Sequence, residues 1–228
     1  MFNLIDMPRP LKPARGSPQL FKSVLFDKHF SRIRPWHVLA LWLPVCAYFF
    51  YRPLAVGVSV APVIGMFLVG GLVWSLVEYL LHRFFFHLEP GETEFAQKAM
   101  FLVHGVHHDY PWDPDRLVIP PSVSALLGFL LYWPTKWIVG APLHDAVFAG
   151  IGAGYLWYDI GHYMWHNMKP RTAVGRYLRA YHLVHHFKTP NARYGVSSPL
   201  WDYVFGTTRE ASESESSTTL STTKPKGV

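Results

Sequence analysis

Residues 101–121 read FLVHGVHHDYPWDPDRLVIPP and contain three histidines with the spacing H-x2-HH. The same spacing recurs in YHLVHHF at residues 181–187, and two further pairs are spaced H-x4-H and H-x3-H. Ten of the thirteen histidines fall in these four clusters: His82, His87, His104, His107, His108, His162, His166, His182, His185 and His186. Imidazole is a common ligand of zinc, iron, copper and nickel, so the clustering predicts a metal site.

The composition indicates a membrane protein. Half of the residues are hydrophobic and only 16% are charged, against about 25% in ordinary soluble domains. The apolar residues form four runs: Trp36–Tyr51, Leu54–Val77, Ser122–Gly140 and Leu143–Ile160. We therefore predict an all-α integral membrane protein with four transmembrane helices in two hairpins. The first hairpin is expected to turn at Arg52–Pro53, and a helical cap beyond the spans would hold the histidines.

The charge distribution predicts the orientation. Two hairpins return the chain each time to the side it left, so both termini and all four histidine clusters share one side. Of the 21 Lys and Arg residues, 19 fall in the segments expected on that side, which leaves Arg52 and Lys136. The positive-inside rule places the histidines in the cytosol. The net charge of +6 is explained in this way, and no pattern of basic residues indicates nucleic acid binding.

The chain divides into three parts. Residues 1–35 are rich in proline and basic residues, and we expect a solvated basic arm. Residues 36–209 form the predicted membrane domain. Residues 210–228, EASESESSTTLSTTKPKGV, have few apolar side chains and are expected to be disordered.

The spacing within the clusters predicts two metal ions. Residues i and i+4 of a helix lie on nearly one face, so each H-x2-HH cluster aims two imidazoles one way and the third another way. One ion would take His82, His87, His104, His108 and His185. The other would take His107, His162, His166, His182 and His186. His82 and His87 are five residues apart, which predicts a local bend.

Two acidic residues precede histidines at helical spacing. A ligand histidine needs a partner on its second ring nitrogen. Glu78 lies four residues before His82 and Asp159 three before His162, so both are candidates. Their alternative role is pairing with arginine at the membrane edge.

Four segments carry a family resemblance: EYLLHRFFFH, HGVHHDYPWDPDRLVIPP, YDIGHYMWH and YHLVHHFKTPNARYGVSSPLWDYVFGT. They resemble the fatty acid hydroxylase superfamily. The DPDRLVIPP run and the YGVSSPLWDYVFGT run are most similar to the fatty acid 2-hydroxylases of sphingolipids. The third histidine cluster departs from the family pattern because Asn167 follows His166.

The resemblance implies a dimetal monooxygenase that uses dioxygen to hydroxylate carbon 2 of a long acyl chain, in the endoplasmic reticulum of a eukaryote. Iron suits this chemistry, whereas zinc is the ion found in structures of the family. The sequence has no HPGG haem signature, so electrons are expected from a separate cytochrome b5-type donor and its reductase. Four residues flank the clusters as candidates for contact with the substrate or bound oxygen: Trp112, Arg116, Tyr158 and Tyr181. The alternative role of the tryptophan and the two tyrosines is anchoring at the membrane interface.

Two other functions remain open. One is a sterol oxidase, desaturase or other lipid oxidase of the same superfamily. The other is a membrane haem carrier or a metal transporter, although both would place histidines within the apolar runs. His29, His37 and His144 stand alone and are expected not to be ligands.

Overall fold

The four long helices of the protein follow the four apolar runs of the sequence. The computed structural model describes residues 12–89 and 91–210, which fold as helices joined by loops. The helices are α1 (Val24–Phe26), α2 (Pro35–Ala55), α3 (Val60–Leu80), α4 (Glu94–Met100), α5 (Val106–Asp109), α6 (Pro121–Val139), α7 (Leu143–Asn167), α8 (Ala173–Phe187) and α9 (Leu200–Val204). The π-helical turns Asp27–Ser31, Leu81–Phe86 and Phe101–Gly105 continue α1, α3 and α4. The predicted all-α class is confirmed for these residues.

Helix α7 forms the centre of the bundle and packs against α2, α3 and α6. Two glycines let it touch α3: a Cβ atom on Gly70 would lie 2.1 Å from the carbonyl oxygen of Val147, and one on Gly150 would lie 1.9 Å from that of Phe67. Small residues allow helix backbones to approach closely where packing, rather than the hydrophobic effect, drives association in lipid. The α3–α7 contact fixes the relative position of two histidine-bearing helices.

The first hairpin does not turn where the sequence predicted. Helix α2 continues through Pro44 and Pro53 to Ala55, and the chain reverses before α3 begins at Val60. A proline removes one backbone hydrogen bond, but the remaining bonds keep the helix intact in apolar surroundings. Gly57 has a φ of 90°, a conformation that glycine adopts without strain, and it makes the turn.

Two helical segments are long and apolar enough to cross a bilayer. They are Pro35–Ala55 and Val60–Phe86, with mean hydropathies of 1.4 and 2.2, and only 22% and 17% of their apolar stretches is buried within the protein. Among the described residues, α6 and α7 do not reach the same hydropathy, and most of α7 is buried by its neighbours. These findings support association with a membrane.

Part of the N-terminal arm, around Leu20, Phe21 and Asp27, is buried, which corrects the prediction of a solvated arm for these residues. Leu20 and Phe21 are buried against Val106, and their backbone N–H groups donate to the buried carboxylate of Asp27 at 2.7 and 3.1 Å. The backbone N–H of Ile33 donates to a carbonyl in the loop after α5. Local burial of these apolar side chains outweighs the basic composition. Residues 1–11 of the predicted arm and 211–228 of the predicted tail lie outside the described residues.

Candidate metal centre

The first two clustered histidines lie at the ends of a π-helical turn. The turn Leu81–Phe86 continues α3, and the N–H of His87 donates to the carbonyl oxygen of His82 at 3.3 Å. A π-helix pairs residues i and i+5 as an α-helix pairs i and i+4. The Nε2 atoms of His82 and His87 consequently lie 3.3 Å apart. The bend that the spacing of five predicted is this π turn.

A second π turn separates the histidines of the stretch 101–121. His104 lies in the turn Phe101–Gly105, and His107 and His108 lie in α5. The Nε2 atoms of His104 and His108 are 3.0 Å apart. The ring of His107 points elsewhere, and its Nε2 atom lies 2.8 Å from that of His162 on α7.

Helix α8 contributes to both sides of the cluster. The Nε2 atom of His182 lies 2.8 Å from that of His166, and the Nε2 atom of His186 lies 2.9 Å from that of His107. His185, one residue from His186, instead places Nε2 3.1 Å from Nε2 of His87. Adjacent histidines on one helix therefore face different partners.

These contacts sort the ten histidines into two groups of five, and the ligand atoms within each group lie within 4.8 Å of one another. The first histidine group is His82, His87, His104, His108 and His185. The second histidine group is His107, His162, His166, His182 and His186. The membership equals the predicted partition. His107 lies in the other group from its sequence neighbours His104 and His108, and His185 lies in the other group from His182 and His186. The second group is fully buried, whereas His87 and His108 leave the first partly open.

The donor set fits a metal ion in each group. The Nδ1 atoms of His82, His185 and His162 lie 2.6, 2.7 and 2.9 Å from the carbonyl oxygens of Tyr194, Ala192 and Leu117. A carbonyl oxygen only accepts hydrogen bonds, so these Nδ1 atoms carry the proton and each Nε2 lone pair faces its group. Metal–imidazole bonds of about 2.0–2.1 Å place neighbouring nitrogens about 3 Å apart. The observed spacings of 2.8–3.3 Å match this value.

Burial keeps the imidazoles neutral. Desolvation, reinforced by neighbouring imidazoles, lowers the pKa of His104, His107, His182 and His186 well below the ordinary value, and the pKa of His185 to about 3. A histidine must be deprotonated to bind a metal. The second histidine group is therefore prepared for an ion at neutral pH without first losing protons.

Glu78 does not contact His82 directly, in contrast to the predicted pairing. Its carboxylate accepts hydrogen bonds from the backbone N–H groups of Val196 and Ser197, at 2.7 and 2.8 Å, and from the Ser197 hydroxyl. These residues follow Tyr194, whose carbonyl oxygen holds the His82 ring. Glu78 thus fixes the loop that orients its helical neighbour.

Asp159 acts in the same indirect way. Its carboxylate accepts from the backbone N–H of Ile119 at 3.0 Å and from the Tyr155 hydroxyl at 3.1 Å. Ile119 lies two residues after Leu117, whose carbonyl oxygen holds His162. The helical spacing correctly indicated which carboxylate supports each histidine. The hydrogen bond from the ring Nδ1 atom, however, is accepted by a backbone carbonyl oxygen and not by the carboxylate.

Arg116 is a buried ion-pair partner and not a free substrate contact. Its guanidinium is 5% exposed and pairs with Asp27 at 3.1 Å and with Asp113 at 2.7 Å. Trp112 is also engaged, since its ring stacks on Phe187 and the guanidinium of Arg15 lies above it. Both predicted substrate contacts stabilise the loop after α5 and the segment that covers it.

The two candidate tyrosines pack next to the histidines. The Tyr158 ring is buried and stacks parallel to that of His162, with centroids 6.0 Å apart. Burial, together with the nearby carboxylate of Asp202, raises the pKa of Tyr181 above the ordinary value. Neither ring is an exposed anchor at a membrane surface.

Two of the isolated histidines, His37 and His144, lie outside both groups. His37 is half-buried and caps the start of α2, where its Nδ1 atom accepts from the N–H of Arg34. His144 is buried beside Asp145 and the hydroxyl of Tyr132.

The sequence reasoning missed Asp202. This residue is fully buried, and its carboxylate accepts from the N–H groups of Tyr194 and Gly195 at 2.9 and 2.8 Å. The spacing from Gly195 to Asp202 has no helical or strand periodicity. The only signal was its place in the YGVSSPLWDYVFGT run.

A helical protein with two apolar helices of membrane length and two five-histidine groups is a membrane-associated protein able to hold two metal ions. Comparison with known families narrows this class. The model of the fatty acid hydroxylase family matches residues 67–207, and the chain belongs to that family.

Named relatives narrow the resemblance further. A dihydroceramide fatty acyl 2-hydroxylase of Arabidopsis thaliana is 38% identical, over 87% of this chain and 83% of its own length. The human fatty acid 2-hydroxylase is 33% identical, over 86% of this chain and 58% of its own length. The ceramide very long chain fatty acid hydroxylase of Saccharomyces cerevisiae is 36% identical over 90% and 53%.

A solved structure shares the fold. Full-length scs7p, of which only the hydroxylase domain is visible, superposes with a TM-score of 0.77 at 36% identity and covers 84% of this chain and 73% of that one. The resemblance to sphingolipid fatty acid 2-hydroxylases is confirmed.

Proposed function

We propose that this protein is a membrane monooxygenase that hydroxylates carbon 2 of long or very long acyl chains of sphingolipids. The observation that carries this proposal is the pair of five-histidine groups in a chain whose relatives bear the names of 2-hydroxylases acting on fatty acyl chains, dihydroceramide or ceramide. Within that family, residues 36–209 are the proposed catalytic domain, and the family match falls inside them.

Each histidine group would hold one metal ion through its five Nε2 atoms. When bound, a pair of iron ions supplies the activation of dioxygen that hydroxylation of an unactivated carbon requires. Zinc would fit the same nitrogen donors, but it has no redox chemistry. Iron is therefore the proposed working metal.

The residues of the chain bind, orient and shield. Backbone carbonyl oxygens hold the rings of His82, His185 and His162 in the tautomer that presents Nε2. Glu78 and Asp159 fix the loops that carry these carbonyl groups. The complete burial of the second histidine group excludes water from that side. The partly exposed His87 and His108 mark the first group as the proposed side of access for the acyl chain.

The exposed apolar surface beside the first group supports entry from the bilayer. Phe84, Phe85 and Leu88 are all at least half exposed and lie within or just after the π turn that carries His82 and His87. An acyl chain moving from the membrane would meet these side chains before the histidines.

We propose that α6 and α7 also span the membrane, which makes four spans in two hairpins. Their 19 and 25 residues suffice for a bilayer, and the buried polar groups of α7 face its neighbours rather than lipid. The distribution of Lys and Arg favours a cytosolic location of the histidine groups, with the endoplasmic reticulum as the membrane in a eukaryotic cell. A cytochrome b5-type protein with its reductase is the proposed electron donor.

Reconstitution tests the activity. The purified full chain is loaded with iron, supplied with a cytochrome b5 reduction system, and given ceramides or free fatty acids in lipid vesicles. Mass spectrometry is expected to detect a product 16 mass units heavier, about the mass of one oxygen atom, with the hydroxyl on carbon 2.

Two variants provide the comparison. His162→Gln removes a ligand and should abolish the product, whereas His144→Gln changes a buried histidine outside both groups and should retain it. Metal-loaded wild-type protein without 2-hydroxylated product contradicts the proposal. Oxidation of a sterol instead would favour the other lipid oxidases of the superfamily, and a Soret absorption band would favour a haem carrier.

A further inference from the structure

The buried carboxylate of Asp202 connects to a clustered histidine through one peptide unit. Asp202 lies in α9, is 0% exposed, and accepts hydrogen bonds from three groups. These donors are the N–H of Tyr194 at 2.9 Å, the N–H of Gly195 at 2.8 Å and the hydroxyl of Thr207 at 2.7 Å. The carboxylate thus has partners for both oxygens within the protein.

The peptide between Tyr194 and Gly195 is bound from both sides. Its N–H donates to Oδ2 of Asp202, and its carbonyl oxygen lies 2.6 Å from Nδ1 of His82. The peptide is planar, so fixing the N–H also fixes the direction of the carbonyl. The orientation of the His82 ring therefore depends on the position of the Asp202 carboxylate.

Only glycine fits at position 195. A Cβ atom there would lie 2.1 Å from the carbonyl oxygen of Ser198 and 2.9 Å from Oδ2 of Asp202. The absence of a side chain lets the backbone approach the carboxylate closely.

Asp202 also supports a second ligand of the same group. The carbonyl oxygen of Ala192 lies 2.7 Å from Nδ1 of His185, and the N–H of the same peptide, at Arg193, donates to the carbonyl oxygen of Thr207 at 2.8 Å. Thr207 is tied to Asp202 by its hydroxyl and by its backbone N–H. Both supported rings belong to the first histidine group, and no described bond joins Asp202 to the second.

We propose that Asp202 is a positioning residue for the metal ion of the first histidine group. Its carboxylate directly holds the peptide that orients His82 and, through Thr207, the peptide that orients His185, with Nε2 of both rings facing the ion. The negative charge also polarises the Tyr194–Gly195 peptide, which strengthens the hydrogen bond to His82 and makes Nε2 a better donor. This inference rests on the proposed binding of metal by the histidine groups.

Zinc release from the full chain in detergent tests the assignment. The variant is Asp202→Asn, which keeps the shape but removes the charge and one of the two acceptor oxygens. The matched control is Asp145→Asn, a carboxylate equally buried at 2% exposure that contacts Arg52 and His144 but no clustered histidine. Zinc content is measured by mass spectrometry, and release is followed with a coloured chelator.

The expected result is selective. Wild-type protein and Asp145→Asn should each release two zinc ions, and the release rates of the two proteins should be the same. Asp202→Asn should release one of its two ions at least about tenfold faster than the wild type does. Asp202→Asn that releases both ions at wild-type rates overturns the inference and leaves the proposed function intact. Acceleration of both ions to the same extent also overturns it, because a general loosening of the fold has that effect. Wild-type protein that takes up no zinc overturns the proposed metal site and this inference with it.

A second measurement does not depend on the folding of the variant. In metal-free wild-type protein labelled with ¹⁵N on histidine, the His82 ring should carry its proton on Nδ1, with its signal identified by its loss in His82→Gln. A His82 ring protonated on Nε2 would contradict the proposed role.

Discussion

The Nε2 atom of His107 lies 2.8 Å from the Nε2 atom of His162, although the two residues are 55 positions apart in the chain. His108, the immediate neighbour of His107, faces His104 instead. One helical turn therefore contributes imidazoles to two different histidine groups.

His107→Ala is expected to abolish hydroxylation, with a loss of activity of at least about 100-fold, because it removes a ligand from the fully buried second group. His185→Ala should do the same through the first group. Metal analysis of both purified variants should give less metal per protein than the wild type. Full metal content in either variant would show that the residue is not a ligand.

Glu78→Leu is expected to destabilise the protein. Leucine leaves the N–H groups of Val196 and Ser197 without their acceptor, at a cost of about 1–3 kcal/mol for each buried group. Glu78→Gln keeps an acceptor oxygen in place and should retain most of the stability. Thermal unfolding of both variants measures the difference, and equal midpoints would contradict the role of Glu78 in holding the loop.

Metal-free protein is expected to lose stability as the pH falls. Burial lowers the pKa of His185 to about 3 and also lowers the pKa of His104 and His182. The pKa of a histidine in an unfolded chain is about 6.5. Below that pH the unfolded chain takes up protons that the folded chain does not. Each such histidine then lowers the free energy of unfolding by about 1.4 kcal/mol per pH unit.

This stability is fully present above the unfolded pKa and is lost as the pH falls towards the folded value. Unfolding midpoints of chelator-treated protein at about pH 7.5 and about pH 5.5 measure the effect, which spans the unfolded pKa. A midpoint independent of pH would show that the histidines are not buried as neutral groups.

Gly70→Ala is expected to weaken the contact between α3 and α7. The added Cβ atom would lie 2.1 Å from a backbone oxygen, and overpacking of this kind costs about 1–3 kcal/mol. Gly65→Ala on the same helix is the control, because its Cβ atom would have no neighbour within 4 Å. A lower unfolding midpoint is expected for Gly70→Ala alone, and equal midpoints would argue against the close crossing.

Arg116→Gln is expected to lower stability and to leave the KM for the lipid substrate unchanged. The change removes the buried guanidinium that pairs with the carboxylates of Asp27 and Asp113, and breaking a buried ion pair costs about 3–5 kcal/mol. The control is Arg34→Gln, since that side chain is 46% exposed in its ion pair. A raised KM with unchanged stability would restore Arg116 as a substrate contact.

The amino-acid sequence alone determined the helices and the division of the histidines. Apolar runs predicted the four long helices, and the spacings of four and one residues within the clusters predicted which imidazoles face together. Both are local properties, because helical geometry fixes the direction of neighbouring side chains. The resemblance of the histidine-containing segments added the family, which the spacings by themselves could not supply.

Only the tertiary structure decided what holds the rings in place. Backbone carbonyls of Tyr194 and Leu117 occupy the positions predicted for Glu78 and Asp159. Those carbonyls reach His82 and His162 across 112 and 45 residues of chain. A backbone carbonyl has no signature in the sequence, since every residue carries one. Its direction depends on how the loop is anchored after folding, and the anchor includes the buried carboxylate of Asp202.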